Sequence, residues 1–250
     1  MGRVRQALEA AAFAEPDPVG WRWTQGVAME SARTPTPALH AACAAGWLGV
    51  DDRRSAQHLL QAGMPLEAAR LWLAVARSGL RRGPREAVAA ARACERALAQ
   101  AAVPEGDAVW GEAGVLLTRA LVELGDWAQA GPESERLLRS ARDFGWSAAL
   151  APALVLRGEV ARGQGDPVRA KSYLQEAIAL CTARGDDQGL ARAARGLGRV
   201  ALGLGRYDEA GRWFQQAQAM FTRLGNAEGA GACLLHRADI ARFAGNGSAP

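Results

Sequence analysis

Arg192, Arg195 and Arg199 are spaced i, i+3, i+7, which on an α-helix places three guanidinium groups on one face. With no carboxylate inside the run, such a face is an anchor for acidic side chains. It would also suit the C-terminal carboxylate of an extended or helical peptide. The competing reading is a merely solvated basic face, in a chain where arginine is abundant and Lys171 is the only lysine. Other chemistry finds less support. Gly196-Leu197-Gly198-Arg199-Val200-Ala201 satisfies the GxGxxG/A dinucleotide pattern. That pattern needs a strand before it and a helix starting at it; these glycines lie inside a helical pattern, so helix packing is expected. His40, His58 and His236 are far apart and have no carboxylate partner or serine elbow; His40 and His58 are read as capping or packing residues.

Asp51–Asp52 and Asp186–Asp187 fall at expected helix N-termini, where carboxylates satisfy free N–H groups. Cys43, Cys94, Cys181 and Cys233 form no CxxC pair and sit in alanine-rich or apolar contexts. They read as small buried thiols in a reducing compartment. No catalytic residue, metal site or cofactor site is expected.

The elements that must position these residues are announced by glycine. Gly125, Gly165, Gly205 and Gly245 are 40 residues apart, and Gly145, Gly185 and Gly225 repeat the period at an offset of 20. Two interleaved combs mean that one hairpin of two helices is copied, each copy burying its apolar face on its neighbours. Three copies span 111–150, 151–190 and 191–230, and 231–245 is the first helix of a fourth. Small residues recur at Thr118, Gly158, Gly198 and Ala238, and again at Ala130, Ala170 and Ala210, followed by Leu137, Ala177 and Ala217. They let antiparallel helices approach closely, while Leu117, Leu121, Leu154, Leu174, Leu197, Phe214 and Leu234 fill the space between. Trp72, Trp127 and Trp213 are expected to pack neighbouring helices, and Pro132 lies inside one second helix, where it should remove a hydrogen bond.

Upstream, 37–106 reads as degenerate helical repeats and 1–36 as an irregular N-terminal segment, with a helix at 3–14 and a hairpin within 21–30 around Gly26. Residues 246–250 form a flexible tail. Apolar residues at 49% and charged residues at 22% mark a globular chain, and the excess of +4 is mixed through the helices instead of gathered on one face. With no signal-type stretch and no apolar run of spanning length, a cytoplasmic protein without membrane contact is expected.

The repeat resembles the tetratricopeptide repeat. Leu197, Gly198, Gly205, Tyr207, Ala210, Phe214 and Ala217 fall on the family's signature positions in order, and Gly158, Ala161, Gly165, Asp166, Ala170, Leu174 and Ala177 match in the copy before. The 40-residue period is longer than the usual 34 and is similar to the long-helix variant of bacterial signalling regulators and GoLoco-type scaffolds. Residues 38–80 also resemble the helical segment that follows the NTPase core and winged helix of kinase-linked and LuxR-type ATPases. Leu39, His40, His58, Leu59, Ala62 and Gly63 carry that likeness. It implies that 1–36 is a winged-helix remnant; with no GxxxxGK[ST] loop, the ATPase itself is absent.

The resemblance implies an all-α fold: a right-handed superhelical solenoid of antiparallel helix pairs whose first helices line a concave groove. The facing positions are then Glu112, Val115, Arg119 and Val122; Pro152, Val155, Glu159 and Arg162; Arg192, Arg195, Arg199 and Leu202; and Ala232, Leu235, Asp239 and Arg242. The peptide-binding residues would be Arg119, Glu159, Arg162, Arg192, Arg195, Arg199, Asp239 and Arg242. The function expected is a non-catalytic scaffold for a protein or acidic peptide, the sensor or interaction arm of a bacterial signalling or transcriptional regulator. The alternative is a nucleic-acid-associated regulator using the basic groove, against which the lack of a helix-turn-helix counts. The half repeat, with Leu234, Leu235, Ile240 and Phe243 on an apolar face, either caps imperfectly or forms a homodimer.

Overall fold

The computed structural model describes the backbone of residues 14–17, 20–23 and 36–246, and the side chains of 36–242. Backbone contacts divide the chain into two units, one up to Ala120 and one from Leu121 onward. In the first unit Ala14–Asp17 (β1) and Gly20–Trp23 (β2) pair antiparallel, with Glu15 opposite Arg22 and Pro16 opposite Trp21. Trp21 and Trp23 thus lie on a strand that returns along 14–17; of the hairpin expected around Gly26, residues 24–30 lie outside the described residues. A two-stranded pair has only edges, so Pro16 loses no interior ladder bond there. Of the helix expected at 3–14, Ala14 lies in β1 and the rest lies outside the described residues.

Four helices follow: α1 (Pro37–Trp47), α2 (Asp52–Gln61), α3 (Pro65–Arg82) and α4 (Pro84–Gln100). Three begin with proline in the first turn, where its missing N–H costs nothing. Asp51 caps α2 by accepting from the Arg54 amide (3.2 Å), and Ser55 donates to the Ala44 carbonyl (2.8 Å), tying α2 to α1. The tightest approach joins α3 to α4: a Cβ on Gly79 would lie 2.9 Å from the Ala87 backbone nitrogen. Trp72 is buried, as the sequence requires.

Helix α5 (Ala108–Leu124) runs across the division, and α6 (Trp127–Asp143), α7 (Ser147–Gly163), α8 (Pro167–Arg184), α9 (Asp187–Gly203), α10 (Tyr207–Arg223) and α11 (Ala227–Asn246) complete the second unit. The glycine combs act at the backbone. Gly125, Gly145, Gly165, Gly185, Gly205 and Gly225 all hold φ between 66 and 82°, the left-handed region that side chains resist. At Gly165 the amide donates to the Arg162 carbonyl (3.0 Å) and the Asp166 amide to the Ala161 carbonyl (2.9 Å), closing the helix with the paired bonds of a Schellman motif. The next residue then opens the following helix. Asp126, Asp166, Asp186 and Asn226 accept from the amides of Gln129, Arg169, Gly189 and Gly229 at 2.8–3.1 Å. One Gly-Asp or Gly-Asn pair therefore ends one helix and starts the next. The last comb position departs from the pattern, because α11 continues through Gly245 to Asn246.

Helix pairs close where the small residues predict. A Cβ on Gly158 would meet Leu174 at 2.7 Å and one on Gly198 would meet the Phe214 ring at 2.8 Å. Gly196, of the apparent dinucleotide motif, packs on Leu174 inside α9. Trp127 covers Gly163, and Trp213 packs half-buried against the core around Phe214. Helix α6 passes unbroken through Pro132. Leu117, Leu121, Leu154, Leu174, Leu197 and Phe214 are buried, but Leu234 is 50% exposed, against the expectation that it fills a helix pair. The equivalent Leu154 and Ala194 are buried in complete repeats; on α11 no described second helix roofs that position.

Candidate functional site

In the second unit α7 touches α9 and α9 touches α11 directly, contacts that α8 and α10 do not make to the same degree. The row of first helices is therefore the inner side of this unit. Between α7 and α9 lies its charged centre. Glu159 is buried, 6% exposed, although it is a carboxylate. Its Oε2 accepts from Nε of Arg162, one helical turn on, at 3.2 Å and lies 2.7 Å from Nη1 of Arg199 on α9. Arg195 stands over the Phe221 ring at 5.8 Å, and Arg192 is half-buried beside it. Burial leads in drawing both Arg192 and Arg199 below the usual arginine value; Arg195 adds to it for Arg192, and Glu159 opposes it for Arg199. Charges held in such a setting interact far more strongly than solvated ones.

The arginine run is thus less open than its spacing implied. Arg199 is committed to a carboxylate that sequence reading did not place near it. The two stand 40 residues apart, one repeat period, and neighbouring repeats bring equivalent positions together. That register was the available signal: Arg119, Glu159, Arg199 and Asp239 occupy one position in four successive copies and alternate in sign. Asp239 is half-buried and pairs with Arg242 at 3.1 Å within α11. Arg119 lies half-buried on α5 in the first unit, where Glu112 of the same helix pairs with Arg77 of α3.

His236 of α11 stacks on Phe214 at 4.7 Å between ring centroids. Burial first, then the cations of Arg199 and Arg195, lowers its pKa below 6.5, while Asp239 and Glu159 act in the opposite sense. The sign follows directly. The unfolded chain takes up this proton at a higher pH than the folded one, so the contribution of His236 is complete above about pH 6.5 and is lost as pH falls through the folded value. Urea midpoints are expected to drop between pH 7.5 and 5.5 in the parent, and by a smaller step in His236→Gln.

Two histidines that the sequence holds apart do meet. His40 and His58 approach Nδ1 to Nδ1 at 2.9 Å, joining α1 to α2. One ring must donate and the other accept, and burial followed by His40 lowers the pKa of His58. Among the described residues no group of three or more histidine, cysteine or acidic side chains is placed to hold a metal ion. Cys94, Cys181 and Cys233 are buried, with the thiols of Cys94 and Cys181 pushed up to about 12 and about 11, chiefly by burial. Cys43 is half-buried. None carries the low-pKa, accessible character of a reactive cysteine.

Residues 149–223, the segment that holds this charged centre, match the family model of the tetratricopeptide repeat. That segment carries tetratricopeptide repeats, and from residue 37 onward the described chain is an α-helical repeat fold. No curated protein matches it in sequence. Among solved structures it is similar to aspartyl phosphate phosphatase F from Bacillus subtilis (TM-score 0.60, 14% identity), matched over 80% of this chain and 55% of that one. A Signal Transduction ATPase with Numerous Domains with a tetratricopeptide repeat sensor, from Pyrococcus horikoshii, matches at TM-score 0.56 and 15% identity over 80% of this chain and 32% of its own length. A Rap protein complexed with Competence and Sporulation Factor matches at TM-score 0.50 and 12% identity, over 83% and 75% of the two chains. The chain thus spans only about a third and about half of the first two structures. At these identities the likeness concerns fold. Among the described residues no helix is long and apolar enough to cross a membrane.

Proposed function

We propose that the chain is a non-catalytic scaffold that binds a protein or peptide partner along the inner face of its repeats, as the sensor or interaction module of a bacterial, cytoplasmic signalling or transcriptional regulator. One observation carries the reading. Arg162 and Arg199 close on a single buried carboxylate, Glu159, and Arg195 and Arg192 follow on the same face of α9, leaving a half-buried excess of positive charge on the inner row. Asp239 extends this face on α11; Arg119 holds the equivalent sequence position in the first unit. A partly desolvated guanidinium cluster favours acidic side chains over water. The tetratricopeptide resemblance, with regulators among the proteins of similar fold, supports the regulatory setting. The N-terminal pair β1–β2 followed by α1 and α2 suits the winged-helix remnant inferred from residues 38–80.

The test is fluorescence anisotropy with labelled acidic and neutral peptides, on the parent and on Arg192→Gln/Arg195→Gln. That variant spares Arg199, whose removal would strand Glu159. Selective binding of acidic peptide that falls at least tenfold in the variant supports the reading; equal binding by both overturns it. A single-stranded oligonucleotide bound more tightly than peptide, with a steep decline in affinity between low and physiological salt, would instead identify a phosphate-binding groove.

A further inference from the structure

The free side of α11 carries a pattern that is complementary to itself. Glu228, Leu235 and Arg242 recur every seven residues, with Gly231 and Ala238 between them, so the five form one stripe along the helix. Leu235 at its centre is 70% exposed, with Leu234 beside it at 50%, and Glu228 and Arg242 at its ends are exposed as well. Asp239 already orients Arg242. The opposite side of α11 is occupied: Cys233 is buried, Gly229 meets Phe221, and His236 stacks on Phe214, all toward α10.

The earlier repeats show what the open side is shaped to take. On α9 the positions equivalent to Gly231, Leu234, Ala238 and Ala241 are Ala191, Ala194, Gly198 and Ala201, all buried in the cluster around Phe214 or against its ring. Each is roofed by an antiparallel helix that sets a bulky side chain between two small ones: Ala210, Phe214 and Ala217 on α10. Helix α11 carries the same small–bulky–small order at the same spacing, Gly231, Leu235 and Ala238. It presents both the seat and the side chains that fill a seat.

We propose that this face binds the same face of a second copy of the chain, α11 against α11 antiparallel about a two-fold axis at Leu235. The layers then close without a mismatch. Leu235 meets its symmetry mate, Gly231 faces Ala238 on both sides, and Glu228 of each copy faces Arg242 of the other. Small residues in the flanking layers let the two helices approach closely, as they do within each repeat. Leu235 and Arg242 then serve this contact, and the ligand-binding face is concentrated on α7 and α9. A contact of one helix pair lies at the small end of specific interfaces, so the association is concentration-dependent.

Sedimentation equilibrium over a wide concentration range, on the full chain, tests the arrangement. Glu228→Arg and Arg242→Glu are each expected to weaken dimerisation at least fivefold, because each opposes like charges across the axis. The double variant restores the parent affinity. Residues 228 and 242 are too far apart along one helix to touch, so rescue requires two chains in antiparallel order. A parent that stays monomeric throughout, single variants with no effect, or a double variant that fails to recover overturns the proposal. A second measurement does not depend on these variants folding alike. In a Cys43→Ser background, Leu235→Cys should oxidise to a disulfide dimer while Val168→Cys, 79% exposed on α8, should not. Equal cross-linking of both overturns it.

Discussion

Glu159→Ala is expected to destabilise the second unit by about 3 kcal/mol, within the range found when one partner of a buried ion pair is deleted. Glu159 is almost fully enclosed, and its one Oε2 atom lies against both Arg162 and Arg199, whose side chains are only 25% and 30% exposed. Removing it leaves two partly buried cations facing each other, with Arg195 a turn away and Arg192 beyond it. Arg199 is already held below the usual arginine value by burial, and Glu159 is what opposes that shift. Glu159→Gln should lose less, since an amide oxygen still accepts from both guanidinium groups. Urea denaturation gives the comparison directly, read at constant slope so that only stability has changed. A loss below about 1 kcal/mol for the alanine variant would mean that water takes the place of the carboxylate, as at an exposed surface pair. Where enough folded protein remains, Glu159→Ala should also bind acidic peptides more tightly than the parent, because the carboxylate competes with any acidic ligand for the same cations.

That centre was only half legible in the sequence, and the reason is geometric. Short-range rules find the helix boundaries because the chemistry is local. A glycine at positive φ and the aspartate after it act within four residues of themselves, so Gly165-Asp166 and Gly185-Asp186 could be read one unit at a time. Close helix contacts at Gly158 and Gly198 were legible for a related reason: the repeat prints the same small position again and again. The pairing of Glu159 with Arg199 obeys neither rule, since it needs neighbouring copies laid side by side. The 40-residue register does this, but only if charges are compared between copies rather than along a helix. His40 and His58 carry no such register, and only the packing of α1 on α2 brings them together. The pairing of 20–23 with 14–17 was missed because tryptophans favour strand wherever they stand, while the choice of partner strand is not encoded locally.

The helix-packing reading makes the other large prediction. Gly198→Leu should destabilise the second unit by about 2–3 kcal/mol, even after the gain of roughly 1 kcal/mol from replacing glycine inside a helix. A Cβ at this position would sit within 3.0 Å of three atoms of the Phe214 ring, and Phe214 is fully buried among Ala191, Ala194, Ala210 and Ala217. The ring has nowhere to retreat, because His236 stacks on it from α11. Phe214→Ala alone should cost about 3–5 kcal/mol through the cavity it leaves. Together the two substitutions exchange which helix supplies the bulk, so the double variant should be more stable than the sum of the singles by about 2 kcal/mol. Thermal and urea unfolding of all four proteins complete the cycle. Simple additivity would show that Gly198 and Phe214 are not partners, and the register of the repeats, on which the placement of the inner-row arginines depends, would have to be redrawn.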